Sequence, residues 1–150
     1  MDSSDNHISV QTVTTNNWRY VTRLTVTNEQ QNFVADASYY LALCCYDTWN
    51  PLAICAGDTV VGFMMWGVDE DKSCWLGGIL VDQQYQQKGY GKRAVEAAIQ
   101  MLQMQTGATI FALSYQKENT VASNLYKTLG FTETGETEGE EIVARLKLNI

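Results

Sequence analysis

The chain has 150 residues, of which 45% are hydrophobic, and its formal net charge at pH 7 is −7. That length and apolar content are sufficient for one domain with a buried core. The acidic balance argues against DNA or RNA as a partner, because proteins that bind nucleic acids usually carry a basic face. No apolar run predicts a membrane span, and the polar opening residues do not resemble a signal peptide.

Cysteine usage points to a reducing compartment. The four cysteines are Cys44, Cys45, Cys55 and Cys74, and the sequence has one histidine, His7. No two cysteines have the C-x-x-C spacing that is typical of metal or redox sites. We therefore predict buried free thiols and a cytoplasmic location, with no metal site and no Cys–His catalytic pair.

The first third of the chain predicts one strand and then two helices. Residues 8–13 alternate between apolar and polar side chains, as a strand does. Asn16 or Asn17 could cap a helix that runs to about Thr27. The residues of this helix expected to face inward are Trp18, Val21, Leu24 and Val26. A second helix is expected over residues 36–47, where the apolar face is less clear.

The middle of the chain predicts three strands. Residues 52–56 and 59–66 are apolar, and Gly57–Asp58 between them suits a two-residue hairpin turn. The next strand, residues 73–81, contains Gly77 and Gly78. Paired glycines within a strand mark a bulge or the close approach of another backbone or a ligand.

The junction after this strand predicts an anion site. Residues 81–93 lead into a helix that begins near Gly91 and ends at Gly107. Two glycines and three cations lie within six positions, namely Lys88, Gly89, Gly91, Lys92 and Arg93. A glycine-rich turn at a helix start exposes backbone N–H groups, and the helix dipole adds positive charge. This arrangement predicts a phosphate-bearing ligand.

The last third predicts a strand at residues 110–113, a helix and two final strands. Asn119 could cap the helix and Gly130 could close it. Its expected inner face consists of Val121, Ala122, Leu125, Tyr126 and Leu129. Two strands at 131–137 and 142–148 complete the order βααβββαβαββ. This order indicates a mixed α/β (α+β) sheet in a single domain, residues 1–150.

Two common phosphate-binding loops fit poorly. A P-loop needs a glycine where Gln86 stands and a hydroxyl residue where Arg93 stands, so the sequence excludes it. Gly89-x-Gly91-x-x-Ala94 matches a dinucleotide fingerprint superficially. However, no acidic residue follows about twenty positions later, where that fingerprint needs one.

A longer pattern resembles the GNAT family of N-acetyltransferases. Residues 86–91 read Q-x-x-G-x-G after I-x-V-D at residues 79–82, and the family's Q/R-x-x-G-x-G/A loop binds the pyrophosphate of acetyl-CoA. Residues 118–131 resemble the family's E-N-x-x-A-x-x-L-Y-x-x-x-G-F ending. The matching blocks occur in the family's order and span residues 60–148.

The resemblance implies a GNAT-like, mostly antiparallel sheet flanked by helices, with acetyl-CoA as cosubstrate and no metal. The strand backbone would pair with the pantetheine arm, and the loop would hold the pyrophosphate. The implied cofactor-binding residues are Ile79, Leu80, Val81, Gln86, Gln87, Lys88, Gly89, Tyr90, Gly91, Lys92, Asn119 and Tyr126. Tyr126 would also be catalytic, as the acid that protonates the leaving thiolate.

Within the family, the chain most resembles bacterial spermine/spermidine (diamine) N-acetyltransferases. The resemblance implies direct transfer, in a ternary complex, to a primary amine of a small molecule, with a polyamine as the expected acceptor. The candidate substrate-binding residues are Glu29, Trp66, Trp75 and Glu141, and Asp36, Asp69 and Glu70 are further carboxylates to consider. Carboxylates attract ammonium groups, and tryptophan faces hold cations. No general base is assigned, although a water chain could lead to Glu29, Asp36 or Glu141.

Polyamine-acetylating relatives often carry a carboxylate or another large polar residue where this chain has Gly77–Gly78. The acceptor pocket is therefore expected to be wider or to be lined from elsewhere. Two other functions stay open: acetylation of a protein N-terminus or lysine, and CoA binding without turnover. The resemblance also allows a homodimer.

Overall fold

The computed structural model describes residues 7–149, which form a seven-stranded sheet with helices on both faces. The strands are β1 Ile8–Thr12, β2 Asn50–Ala56, β3 Thr59–Val68, β4 Cys74–Val81, β5 Ile110–Tyr115, β6 Thr132–Glu138 and β7 Glu141–Lys147. The helices are α1 Trp18–Thr22, α2 Ala37–Tyr46, α3 Tyr90–Thr106 and α4 Thr120–Thr128. The predicted order βααβββαβαββ is confirmed.

The sheet has the spatial order β1-β2-β3-β4-β5-β7-β6. Every neighbouring pair is antiparallel except β4 and β5, which are parallel. The predicted turn at Gly57–Asp58 joins β2 to β3, and Gly57 has a φ of +58°. The mixed, mostly antiparallel sheet expected from the sequence is therefore confirmed.

Side chains alternate between two buried layers, as strand geometry requires. On β3, Met64 belongs to the layer that contains the apolar face of α3, including Val95 and Leu102. Its neighbour Met65 belongs to the opposite layer, with Val21 of α1 and Ala37 of α2. The sheet thus has a core on each face, and α3 supplies the larger helical surface.

Within residues 7–149, the one parallel pair of strands is short. β4 and β5 pair at Cys74 with Phe111 and at Trp75 with Ala112, and both strands then continue without pairing to each other. Beyond those residues a gap opens between the two strands, in the middle of the sheet. This gap is where a ligand can reach the backbone of β4.

A bulge in β4 lies beside the gap. Phe63 of β3 pairs with Leu80, whereas Met65 pairs with Gly77, so β4 contains one extra residue between these pairs. Gly78 lies within this stretch and has a φ of +56°, a left-handed conformation that favours glycine. The bulge predicted from Gly77–Gly78 is confirmed.

Several boundaries and inward-facing residues differ from the predictions. α1 ends at Thr22 and not near Thr27, because Thr25 leaves the helical path to bond with the end of β4. Trp18 is 40% exposed, with the Arg19 guanidinium 4.7 Å from its ring centroid, so it is not an inward residue. Val121 is 73% exposed, so it does not belong to the inner face of α4. In the first turn of this helix, Ala122 lies on the inner side, where it lines a cavity.

The four cysteines are free thiols, as predicted, but only Cys55 and Cys74 are buried; Cys44 is half-buried and Cys45 is exposed, so the prediction of burial is wrong for these two. Burial raises the pKa of Cys44 and of Cys74 to about 11, so both thiols stay protonated at neutral pH. Within residues 7–149, no helix is both long enough and apolar enough to cross a membrane.

Candidate active site

A buried aspartate fixes the end of β4 where the glycine-rich loop begins. Asp82 is 7% exposed, and its carboxylate accepts hydrogen bonds from the backbone N–H groups of Thr25 (2.9 Å) and Gln84 (3.0 Å). The second bond caps the short 3-10 turn Gln83–Tyr85. Asp82, which the sequence motif included, thus has a structural role in placing the loop.

The loop backbone is shaped to receive an anion. Gln87 and Gly89 both have positive φ, +64° and +77°, on either side of Lys88. Alternation of this kind turns successive N–H groups towards one point and forms an anion-binding concavity. α3 begins at Tyr90, so the start of this helix and the positive end of its dipole lie next to this concavity.

Packing does not require the second glycine of the loop. A Cβ atom at Gly91 would lie 3.7 Å from Leu125 Cδ2 and 3.9 Å from Val81 Cγ2, which are ordinary contact distances. The role of Gly91 is therefore not explained by packing, and a glycine is a residue that lets a ligand approach the backbone closely.

The polar side chains of the loop are held in different ways. The amide nitrogen of Gln86 donates to the carbonyl of Val81 (2.8 Å) and to Oε1 of Gln30 (2.6 Å). These bonds engage the Gln86 amide within the protein and hold the loop in place. The groups of the loop that can bind an anion are therefore backbone N–H groups. Lys92 is exposed on the first turn of α3 and lines a second groove, which also includes His7.

A cavity of about 480 Å³ opens at the gap between β4 and β5. Five residues predicted for the site line it, namely Ile79, Asn119, Tyr126, Trp75 and Glu141. Leu80 is instead buried in the α1/α2 layer, and Trp66 packs against the α3 layer. Glu29 is exposed at the start of the 3-10 turn Gln30–Asn32 and does not line the cavity.

Tyr126 has a defined place at one end of this cavity. Asn119 caps α4 by accepting a hydrogen bond from the N–H of Ala122 (3.3 Å). Tyr126 is 7% exposed, and its ring lies 5.8 Å from the ring of Tyr115 and 6.0 Å from that of Phe131. Burial raises the pKa of Tyr126 well above its usual range, and the nearby phenol of Tyr115 adds to the rise. Tyr126 therefore keeps its proton at neutral pH.

Aromatic rings from outside β4 occupy the space above its glycines. A Cβ atom at Gly78 would lie 3.2–3.3 Å from three ring atoms of Tyr40, and one at Gly77 would lie 3.3 Å from the Trp49 ring. The pocket is therefore lined from elsewhere, one of the two alternatives that the sequence left open. Sequence reasoning missed Tyr40, Trp49 and Tyr115, because no motif links them to the cofactor loop.

Two contacts hold Tyr40 in place. Its ring stacks on Phe63 with 6.0 Å between centroids, and its hydroxyl accepts a hydrogen bond from the N–H of Ala35 (3.0 Å). Burial raises the pKa of Tyr40 against the effect of this bond, and the charge of Glu141 raises it further. Tyr40 thus stands between the bulge of β4 and the acidic part of the cavity.

The charged residues that line the cavity are all acidic. They are Asp69, Glu138 and Glu141, and the lining contains no lysine, arginine or histidine. Glu141 is half-buried, and its Oε1 accepts a hydrogen bond from the Ser114 hydroxyl (2.7 Å). Asp36, at the start of α2, and Glu70 are exposed and lie outside the lining. The cavity suits a cationic guest.

The cavity wall at Trp75 is supported by a compensated arginine. The Arg145 guanidinium lies 5.4 Å from the centroid of the Trp75 ring and binds both carboxylate oxygens of Glu136, at 2.8 and 3.0 Å. This hydrogen-bonded pair lowers the pKa of Glu136. Because Arg145 is paired with an acid, it adds little positive field to the cavity.

Comparison with known proteins identifies the family. The family model described as the acetyltransferase (GNAT) family matches residues 17–131. The chain belongs to the GNAT family. A spermine/spermidine N(1)-acetyltransferase of Bacillus subtilis (strain 168) is 29% identical over 150 residues, which cover 92% of this chain and 97% of that protein. The resemblance inferred from the cofactor loop and the α4 motif is thus confirmed.

Solved structures share the fold at low sequence identity. The PaiA N-acetyltransferase of Thermoplasma acidophilum, in complex with coenzyme A, has a TM-score of 0.67 at 15% identity, covering 94% of this chain and 99% of that one. The aminoglycoside acetyltransferase AAC(6')-Ib, also in complex with coenzyme A, has a TM-score of 0.75 at 14% identity, covering 94% and 95%. The fold found here is therefore shared with an enzyme named for aminoglycosides, as well as with the N-acetyltransferase PaiA.

No metal site accompanies this cavity. Within residues 7–149, no group of three or more histidine, cysteine, aspartate or glutamate side chains is arranged to hold a metal ion. The chain is a GNAT acetyltransferase, and the residues that can do chemistry in the cavity are its backbone amides, phenols and carboxylates.

Proposed function

We propose that the protein transfers an acetyl group from acetyl-CoA to a primary amine of a small molecule, and that the acceptor is a polyamine such as spermidine or spermine. One observation carries the proposal: a single cavity joins Asn119 and Tyr126 to a region whose charged residues are all acidic. We further propose that the described residues act as a single acetyltransferase domain. The cytoplasmic location stays a prediction from cysteine usage.

Acetyl-CoA would bind across the start of α3 and along the open side of β4. The concavity at Gln87–Gly89 and the first N–H groups of α3 would bind the pyrophosphate. Lys88 would add charge beside the concavity, while Lys92 lies farther round the helix start. The pantetheine arm would pair with backbone groups of Ile79 and Val81, where β4 has no partner on the β5 side. This arrangement brings the thioester to the bulge.

The transfer would be direct, from thioester to amine. A backbone N–H at the bulge, between Gly78 and Leu80, would stabilise the tetrahedral oxyanion, and a donor of this kind is typically worth about 10²–10³ in rate. Tyr126 would donate a hydrogen bond, and finally the proton, to the sulfur as its bond to the acetyl carbon breaks, and the proton lost by the attacking amine would pass through water and restore the phenol. Because its pKa is raised, the phenol remains a donor over the pH range in which an amine becomes nucleophilic.

The acceptor would enter from the acidic side. Glu141, oriented by Ser114, would bind an ammonium group, and Asp69 and Glu138 would attract further positive charge towards the cavity. The rings of Tyr40 and Trp49 would contact the methylene chain. The similarity to a spermine/spermidine acetyltransferase at 29% identity supports a polyamine over other small amines.

The experiment is an acceptor screen. Purified protein is incubated with acetyl-CoA and with spermidine, spermine, putrescine, amino acids or peptides, and thiol release is followed. We expect release to be fastest with the polyamines. Measurable CoA binding without turnover on any amine would refute the enzymatic proposal and leave a non-catalytic CoA-binding module.

A protein or peptide acceptor is the second candidate. The solved neighbours include a ribosomal L7/L12 alpha-N-protein acetyltransferase with a TM-score of 0.75, at only 12% identity. Faster turnover on peptide N-termini than on any polyamine would select this alternative.

A further inference from the structure

One segment of the chain contacts both halves of the proposed site. The bridging segment, residues 25–36, connects α1 to α2 and contains the short 3-10 turn Gln30–Asn32. At its start, the N–H of Thr25 donates to Asp82 (2.9 Å), and its carbonyl accepts from the N–H of Gln83 (2.7 Å). The segment is therefore attached to the point where the cofactor loop begins.

The middle of the bridging segment holds the cofactor loop through a side chain. Oε1 of Gln30 accepts a hydrogen bond of 2.6 Å from the amide of Gln86, and the same amide nitrogen donates to Val81. Gln86 is the first residue of the loop motif. Asn32 lies two residues after Gln30, and its carbonyl accepts a hydrogen bond of 3.3 Å from the side-chain amide of Gln116, which precedes α4.

The far end of the bridging segment forms part of the acceptor wall. Phe33 and Val34 line the cavity, and their N–H groups donate to the carbonyl of Gln30 at 2.9 and 3.2 Å. The next N–H, of Ala35, donates to the hydroxyl of Tyr40, which lies over the bulge. Gln30 thus joins the cofactor loop, through its side chain, to the acceptor wall, through its carbonyl.

We propose that Gln30 is a positioning residue that couples occupancy of the cofactor loop to the placement of Phe33 and Val34. When CoA fixes the loop, the bond from Gln86 holds Gln30, and Gln30 in turn holds the two cavity residues. Acetyl-CoA binding then prepares the acceptor side, and by linkage the acceptor raises CoA affinity by the same factor. This inference rests on the proposed function, because it requires that CoA binds the loop.

Amide hydrogen exchange, resolved by residue, tests the coupling without an acceptor. In the wild type, we expect CoA to slow exchange at two places, the loop residues 87–91 and the wall residues 33–35. In Gln30→Leu, protection of the loop should persist, while CoA-dependent protection of 33–35 should fall about two- to tenfold, the effect of one hydrogen bond on an equilibrium. Gln30→Glu keeps an acceptor oxygen for Gln86 and should retain most of the protection.

Gln31→Leu is the matched control. Gln31 is exposed in the same turn, and its amide bonds only within the bridging segment, to the carbonyl of Val26 at 3.4 Å. We expect this variant to behave as the wild type in both regions. Unchanged protection of 33–35 in Gln30→Leu, or an equal loss in Gln31→Leu, would overturn the inference and leave the proposed function intact. Absence of protection at 87–91 in the wild type would overturn the proposed function, and the inference with it.

Discussion

Neutralising Glu141 tests whether the acidic part of the cavity selects a cationic acceptor. Gln has the shape of Glu, and its amide oxygen can still accept the bond from the Ser114 hydroxyl, which is 2.7 Å in length here. The substitution Glu141→Gln therefore removes the charge and leaves the wall in place. Its effect should appear in acceptor binding and not in folding.

The magnitude follows from where Glu141 lies. An ion pair at about 4 Å is worth about 4 kcal/mol at an effective dielectric constant near 20, the value used close to a protein surface. Glu141 is only half-buried, so solvent screening and the cost of desolvating the ammonium remove most of this. We expect a net loss of about 1–2 kcal/mol, which corresponds to a KM for spermidine about 5- to 30-fold higher.

Steady-state thiol release at saturating acetyl-CoA measures the change in KM. The kcat of the variant should stay within about twofold of the wild-type value, because the substitution weakens acceptor binding and not the chemical step. Glu140→Gln is the matched control: it makes the same change in net charge at an exposed position in the adjacent hairpin turn. The difference between the variants should shrink at high salt. Equal KM values for the two variants would refute a local role for Glu141.

Three further predictions concern the chemical step and the bulge. Tyr126→Phe should lower kcat by about 10²-fold with little change in CoA affinity measured by calorimetry; full activity would exclude its acid role. Because burial raises the pKa of Tyr126, kcat/KM should rise with pH as the amine deprotonates, with no falling limb below about pH 9.5; a fall at lower pH would contradict this assignment. Gly78→Ala should lower the free energy of unfolding by about 1–2 kcal/mol and slow turnover, because it combines a φ of +56° with a 3.2 Å approach to the Tyr40 ring. Gly139→Ala is the control, because Gly139 also has a positive φ but its Cβ would have no neighbour within 4 Å. Thermal unfolding should show a smaller loss of stability in this variant, and the difference between the two variants measures the effect of the contact with Tyr40.

The elements of the proposed cofactor site could be predicted because their determinants are local in sequence. The loop that follows β4 and the start of α3 are contiguous, and their glycine positions are set by backbone conformation. Helix α4 could be predicted for the same reason, since Asn119 caps it and Tyr126 follows at a fixed spacing. The order of helices and strands along the chain followed from the same local signals, hydrophobic period and turn residues.

The proposed acceptor half could be predicted only in part: Asp69, Trp75 and Glu141 were candidates and line the cavity, whereas the rest was missed because this half is assembled from distant parts of the chain. Phe33, Tyr40, Trp49, Asp69 and Glu141 come from five separate segments and meet only in the folded sheet. Hydrophobic periodicity could not predict which side of α2 faces the sheet, because its side chains are apolar on nearly all sides. The structure accounts for this pattern: one side of α2 packs on the sheet, while Tyr39 and Tyr46 are 60% and 92% exposed.

The glycine pair in β4 explains how the two halves can vary independently. A side chain at Gly78 would enter the space of the Tyr40 ring, so the strand that serves the cofactor contributes backbone alone to the acceptor wall at this point. The acceptor wall there is made by Tyr40 and Trp49, which lie outside the cofactor motifs. Substitutions at these two rings should therefore change which amine is accepted while CoA affinity is kept. The bridging segment is the exception, because Gln30 is bonded to the cofactor loop, and a change there should alter both halves at once.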